Sequence, residues 1–227
     1  EASLPIHGWP NWGFGSHDAP RIAARVGDAQ SRVAAMMLLT LRGTPTLYQG
    51  DEIGIGEVPI PRDRIRDPQH LVQPELNIGR DRSRTPMPWD DSPSAGFSSA
   101  APWLPLNPDS RRRNIATQER EPNSLLNLYK ALLSLRRRQA ALSIGNFTLL
   151  KTGDDVLAFE RRHGDEHLLI ALNLGDQARS LPVPSTAGLV TVLCSTATPR
   201  AIDGTLAPNE GLILQLVDSE DQSSRIS

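Results

Sequence analysis

Residues 79–90 read Gly-Arg-Asp-Arg-Ser-Arg-Thr-Pro-Met-Pro-Trp-Asp, a tight cluster of arginines, carboxylates and a tryptophan in a stretch without helical or strand period. A guanidinium offers a rigid fork of donors, a carboxylate accepts, and an indole offers a flat apolar face. Grouped in irregular backbone, these suit a polyol, which makes sugar the leading substrate class. A second pair, His17 and Asp18, sets an imidazole beside a carboxylate. By itself that pair reads better as a turn, because Asp18 precedes Ala19-Pro20-Arg21 and could cap a helix.

The elements that must position these groups follow from periodicity. Asp28 opens an expected helix over residues 29–42, in which Val33, Met36, Met37 and Leu41 recur at three to four residues and Gly43 marks the end. Thr46-Leu47-Tyr48 then reads as a short buried strand. Strand, helix and strand in this order form one right-handed crossover of a parallel sheet, which cannot be a finished domain. Residues 49–123 show no sustained period and hold 11 of the 19 prolines, yet Trp89, Phe97 and Trp103 argue against a disordered linker. An ordered excursion near an active site is expected there.

Leu125, Leu128, Tyr129, Leu132, Leu133 and Leu135 form an amphipathic stripe, with Arg136, Arg137 and Arg138 read as a solvated cap at the helix end. After Gly145 short branched runs at 156–160, 168–174, 189–194 and 212–216 alternate with turn signals such as Gly164-Asp165 and Asp203-Gly204. That pattern predicts an antiparallel β module with a packing role, in which Cys194 is a buried strand thiol.

Composition narrows the function class. A formal charge of −2 argues against a polyanion-binding surface, so no nucleic-acid partner is expected. Lys130 and Lys151 are the only lysines among 24 basic residues, a skew that fits a GC-rich genome. One cysteine excludes an internal disulfide. No run of about 18 apolar residues exists, and the N-terminus lacks a charged head followed by an apolar stretch, so no membrane association is expected. The chain reads as cytoplasmic, with a periplasmic placement left open.

Four segments carry a family resemblance. They are Trp12-Gly13-Phe14-Gly15-Ser16-His17-Asp18, Gly43-Thr44-Pro45-Thr46-Leu47-Tyr48-Gln49-Gly50-Asp51-Glu52-Ile53-Gly54, residues 79–90, and Pro102-Trp103-Leu104-Pro105-Leu106-Asn107-Pro108 followed by Pro122-Asn123-Ser124-Leu125-Leu126-Asn127-Leu128-Tyr129. In this order they resemble the α-amylase superfamily of glycoside hydrolases, in its bacterial α-glucosidase and oligo-1,6-glucosidase branch. The first is similar to the motif of the seventh barrel strand, the second to the eighth strand and its turn, the last to the entry of the final barrel helix.

The resemblance implies an α/β fold: the C-terminal part of a (β/α)₈ barrel over residues 1–143, with the long loop 49–123, then an antiparallel β-sandwich over 144–217 and a tail at 218–227. Because Glu1 directly precedes what reads as the lead-in to a barrel strand, the chain is expected to be the C-terminal part of a longer protein. A retaining glycosidase needs a nucleophilic carboxylate and an acid/base about 5 Å apart, and in the family both lie upstream of anything in this chain. What the resemblance assigns here is the transition-state stabiliser, Asp18, which with His17 grips the 2- and 3-hydroxyls of the cleaved glucose. His-Asp at a barrel strand end would face the catalytic mouth.

Arg80, with Asp81, matches the arginine that recognises the non-reducing-end glucose, against a structural salt bridge as the plainer alternative. Glu52 is placed on the pocket wall, and Arg84 and Trp89 are assigned to loop packing. Ser16 stands where the family has asparagine, which offers the neighbouring pair fewer hydrogen bonds, and Pro88 where many relatives have glutamine. No metal is expected, since no further His or carboxylate lies at ligand spacing from His17 and Asp18. No cofactor is expected either, and a divalent ion of the kind found in relatives would have its ligands upstream. The implied activity is that of an exo-acting α-glucosidase on short α-linked oligosaccharides, inert as this fragment alone. A glucosyl-transferring or isomerising enzyme such as a trehalose synthase, and a non-catalytic interaction subunit of the same fold, stay open, as does the oligomeric state.

Overall fold

The computed structural model describes residues 4–5, 7–76, 79–153, 155–184, 187–198 and 200–218, so most of the expected tail lies outside the described residues. In chain order the elements are β1 (Asn11–Gly13), α1 (Ile22–Thr40), β2 (Thr44–Thr46), α2 (Pro68–Val72), α3 (Ile115–Arg120), α4 (Leu125–Arg138), α5 (Ala140–Ser143), β3 (Asn146–Leu149), β4 (Val156–His163), β5 (Glu166–Asn173), β6 (Arg179–Ser180), β7 (Ala187–Ser195), β8 (Thr205–Leu206) and β9 (Gly211–Asp218). Strands β1 and β2 pair as a two-stranded sheet. The chain divides into two compact units, one formed by Gly13–Ser31 and Thr46–Tyr129, the other by Glu1–Trp12, Arg32–Pro45 and the chain from Lys130 onward.

The expected helix exists but begins earlier, at Ile22, and is kinked where Gly27 adopts φ 75°, ψ 176°. Asp28 gives its carboxylate to Arg113 rather than to the helix. The strand reading of 46–48 is displaced: β2 occupies Thr44–Thr46, and Leu47 is 39% exposed where burial was expected. An extended segment with one pairing neighbour has too little covering it to bury an alternating side chain.

The unit of residues 13–31 and 46–129 is irregular. Among its described residues it folds through 3₁₀ turns at Asp51–Ile53, Arg62–Arg64, Pro74–Leu76 and Asp81–Ser83, with α2 between the second and third and α3 after the last. A small core of Ile53, Ile55, Met87 and Leu126, flanked by Ile115, anchors it. Asn114 caps α3 by accepting from Thr117 N at 2.8 Å, and Gln118 ties Ile53 O at 2.8 Å to Leu126 N at 3.1 Å. The loop is therefore ordered by side-chain to backbone bonds rather than by a ladder.

The other unit is built on a five-stranded antiparallel sheet in the order β3-β4-β5-β9-β7. Every residue of β5 from His167 to Asn173 is buried, so both faces of the sheet are covered. On one face Val156, Ala158, Leu169, Ala171, Leu212, Leu214 and Leu216 pack with Leu181 and Leu206, brought by the paired strands β6 and β8. This second, small layer makes the module a β-sandwich. On the other face Phe159 stacks on Phe147 at 4.9 Å, and α5 packs on β4 and β5.

Two arginines there are buried, and the first corrects the sequence reading. Arg136, expected in solvent, is buried and donates to Leu39 O at 2.8 Å, Leu41 O at 3.2 Å and Gly43 O at 2.6 Å. Those carbonyls at the end of α1 have no helical donor, and a cation is the group that best answers them. Arg161 is likewise buried on the carbonyls of Thr40, Gly145 and Asn146. Gly43, at φ 132°, is required by crowding, because a Cβ there would lie 2.6 Å from Pro10 O. Cys194 is half-buried on β7, and burial pushes its thiol up to about 11. No helix among the described residues is long and apolar enough to cross a membrane.

Candidate active site

All of the residues expected to do chemistry fall within the unit of residues 13–31 and 46–129. Beyond β1 the chain turns sharply. Ser16 O accepts from Ala19 N at 3.4 Å, and the Ser16 hydroxyl accepts from Asp18 N at 3.2 Å. Serine thus closes the same kind of side-chain turn that asparagine closes. The turn presents His17 and Asp18 outward, their side chains 66% and 53% exposed, with His17 Nε2 3.3 Å from Asp18 Oδ2.

Three residues later Arg21 is wholly buried. Its guanidinium donates to Gln49 O at 3.2 Å, to Thr85 Oγ1 at 2.8 Å and to Thr85 O at 3.1 Å, and lies 5.9 Å from the centroid of the Tyr48 ring. Burial lowers its pKa, offset in part by Tyr48, Asp51 and Glu52. Tyr48 donates to Ser83 O at 2.8 Å, and Ser83 donates to Ala19 O at 2.8 Å. These bonds stitch the 83–85 segment to the turn that carries Asp18.

The stitching brings two guanidinium groups onto one carboxylate. Arg84 donates from Nη2 to Asp18 Oδ1 at 3.0 Å and from Nε to His17 O at 3.0 Å. Arg80 Nη1 stands 3.4 Å from the same Oδ1. Arg80 and Arg84 are each about a third exposed, so a ligand can reach the cluster. A carboxylate that accepts, flanked by guanidinium donors in fixed planes, can bridge the vicinal hydroxyls of a sugar ring.

Of the sequence-predicted residues, Asp18, His17 and Arg80 come together. Glu52 instead turns back on its own 3₁₀ turn, accepting from Gly50 N at 2.7 Å, with its pKa raised by burial. Arg84, assigned to packing, is the nearer of the two arginines to Asp18. The Trp89 ring is half exposed, and it is the Trp89 backbone, donating to Ala95 O at 2.8 Å, that shapes the loop. Asp67 and Arg21 were not singled out at all, although Asp67-Pro68 is a helix-start signature: Asp67 caps α2 with Pro68 at its first turn.

Beneath the turn, Asp51 Oδ1 accepts from Ile22 N at 3.3 Å, and a Cβ on Gly15 would lie 2.4 Å from Asp51 Oδ2. Glycine is what lets the chain pass that carboxylate on its way to His17. Burial, moderated by the Ile22 hydrogen bond and Arg21, pushes Asp51 up to about 6. Among the described residues no group of three or more His, Cys, Asp or Glu is placed to hold a metal ion.

Comparison with known proteins gives the chain's relatives. Residues 1–145 match the family described as the α-amylase catalytic domain, and residues 147–208 match the maltogenic amylase C-terminal domain. The chain is 36% identical over 184 residues to a probable α-glucosidase of Rhizobium meliloti, covering 78% of this chain and 33% of that protein. It is 31% identical to an oligo-1,6-glucosidase of Parageobacillus thermoglucosidasius, over 81% of this chain and 37% of the relative. It is also 35% identical to an amino acid transporter heavy chain of Rattus norvegicus, over 81% of this chain and 26% of the relative. The trehalulose synthase MutB from Pseudomonas mesoacidophila, in its monoclinic form, superposes with a TM-score of 0.83 at 29% identity over 93% of this chain and 44% of that one. The chain thus spans less than half the length of each of these relatives.

Proposed function

The chain belongs to the α-amylase family of glycoside hydrolases, and from that premise we propose that the protein carrying it is a retaining exo-α-glucosidase acting on short α-linked glucosides of the maltose or isomaltose type. The observation that carries the reading is the convergence of Arg80, Arg84 and His17 on the exposed carboxylate of Asp18. As the glycosidic bond breaks, the sugar ring becomes oxocarbenium-like and its hydroxyls become stronger donors, so an acceptor fixed against the 2- and 3-hydroxyls binds the transition state better than the ground state. Asp18 is that acceptor, and His17 shares the hydroxyls with it. Arg80 holds the terminal glucose at its non-reducing end, which makes the action exo. The nucleophile and the acid/base are contributed from outside this chain, so these 227 residues alone are inert.

A glucosyl-transferring or isomerising enzyme is the second reading, favoured by the similarity to a trehalulose synthase. The two differ in what attacks the glycosyl-enzyme, water or a sugar, and product analysis on maltose and sucrose separates them. A non-catalytic subunit, which the heavy-chain similarity keeps in view, would turn over neither.

In the full-length enzyme, Asp18→Asn should lower kcat on an aryl α-glucoside by about 100-fold, the effect of losing one preorganised contact to the transition state. Arg80→Ala should lower kcat/KM more on maltose than on a longer maltooligosaccharide, which keeps other contacts. A folded Asp18→Asn variant with native turnover would reduce Asp18 to a turn residue and withdraw the proposal.

A further inference from the structure

Asp67 is 13 residues from Arg80 in sequence and its side chain is fully buried, whereas Arg80 is 32% exposed. Four N–H donors fill its two oxygens. Oδ1 accepts from Gln69 N at 3.2 Å and Arg80 Nη2 at 2.7 Å; Oδ2 accepts from Arg80 N at 2.8 Å and Arg80 Nε at 3.0 Å. The arginine is thus gripped by its backbone and by one edge of its guanidinium. The only terminal nitrogen left outside that fork is Nη1, and it is the one directed at Asp18.

The grip is itself anchored. Asp81, the residue after Arg80, is buried and accepts at Oδ2 from Arg66 N at 2.7 Å and Asp67 N at 2.8 Å. Segments 66–67 and 80–81 are therefore cross-tied in both directions by carboxylates, each taking the backbone N–H of the other segment. Hydrogen bonds from Arg80 hold the Asp67 carboxyl well below the usual range despite its burial, and the same pairing raises the guanidinium.

We propose that Asp67 is a positioning residue for the substrate-binding Arg80, fixing the guanidinium plane so that its outer edge, which faces Asp18, meets the terminal glucose without first having to be ordered. This inference rests on the proposed function. A free arginine carries about 2 kcal/mol of rotamer entropy, and a partner that removes it before binding improves affinity without touching the ligand. The effect should therefore appear in KM more than in kcat, and only through Arg80.

The test uses the full-length enzyme with maltose and compares wild type, Asp67→Asn, Arg80→Ala and the double variant, with thermal unfolding to confirm folding. Asp67→Asn keeps an acceptor for the α2 cap but loses the charge and part of the fork, and should raise KM roughly tenfold, as removal of an orienting partner does elsewhere. The double variant should be no worse than Arg80→Ala, because Asp67 has nothing left to aim. Native KM in folded Asp67→Asn, or losses that multiply in the double variant, would overturn the inference while leaving the function standing. Native kinetics in Arg80→Ala would remove the exo assignment that rests on Arg80, and this inference with it. If Asp67→Asn does not fold, Arg80→Lys decides: it keeps the charge without the planar fork, so it should lose nearly as much as Arg80→Ala, and native KM in it would sink the idea.

Discussion

The sheet of β4, β5 and β9 and the loop between residues 62 and 85 face the same requirement and meet it with different chemistry. In the sheet, backbone donors and acceptors satisfy one another along antiparallel ladders, and the face covered by β6 and β8 is lined by Leu, Val and Ala. In the loop, backbone groups are answered by Asp67, Asp81 and Arg21, all three buried. Buried polar groups must be paired in either case. The comparison teaches that the loop fixes charged groups as a by-product of folding: the bonds that hold its backbone also leave Arg80 and Arg84 aimed at Asp18. The sheet's apolar face has no such residue to offer and contributes packing, and Arg161 on the opposite face is buried and spent on the carbonyls of Thr40, Gly145 and Asn146.

If that division holds, substitutions in the two regions should separate stability from chemistry. The largest effect is expected in the sheet. Leu169 is completely buried among Ala158, Ala171 and Leu214, so Leu169→Ala should cost about 2–5 kcal/mol of stability through lost transfer and cavity formation. Measured by urea unfolding and by turnover per folded molecule, the first should fall and the second should not. A matching drop in turnover would mean that the sheet acts on the site and the division is false.

An intermediate effect is expected from Asp51, which belongs to the loop unit but is paired with one backbone N–H rather than with a full fork. Its pKa is raised to about 6 by burial, so the folded state holds the proton more tightly than the unfolded state. Its contribution to stability is fully present below about pH 4 and is lost as pH rises through about 6. Relative to Asp51→Asn, the wild type should lose roughly 2–3 kcal/mol across that window. Unfolding curves at pH 4.5 and pH 7 for both proteins check this, and parallel changes in the two would show that Asp51 titrates like an exposed carboxylate.

The same contrast explains what the sequence made legible. Runs of branched residues at 156–160, 168–174 and 212–216 announced β4, β5 and β9 because a strand is a short local run bounded by turn signals, continuous where both faces are buried as in β5. Asp18, His17 and Arg80 were found by the resemblance of their motifs, not by any period. Arg84 was read as loop packing without its contact to Asp18, and Asp67 was passed over, because their partners lie 66 and 13 residues away. Arg136 was misread for the same reason: its carbonyl partners at the end of α1 are more than 90 residues earlier. The helix announced from Asp28 onward corresponds to the part of α1 after the Gly27 kink, and the turns from Ile22 to Val26 before it were not read.

Arg84 gives the smallest expected effect and the sharpest contrast with packing. Its guanidinium makes two bonds to the site turn, one to His17 O and one to Asp18 Oδ1, both at 3.0 Å. Arg84→Met keeps most of the stem and removes both. The turn retains the Ser16 hydroxyl on Asp18 N, the Ser83 hydroxyl on Ala19 O and the buried Arg21 beneath it. An ion pair this exposed adds at most about 1 kcal/mol to stability, so unfolding should be nearly unchanged. Asp18 would still have Arg80 at 3.4 Å, but Oδ1 would lose its closer donor and the carboxylate would gain rotational freedom. Turnover on an aryl α-glucoside should then fall roughly tenfold, about 1.4 kcal/mol in the barrier, less than for Asp18→Asn because the carboxylate itself remains. Arg84→Lys can reach Asp18 or His17 O but not both in one plane, so it should recover only part of the loss. Native turnover in Arg84→Met would return Arg84 to loop packing and leave Arg80 as the only loop cation acting on Asp18.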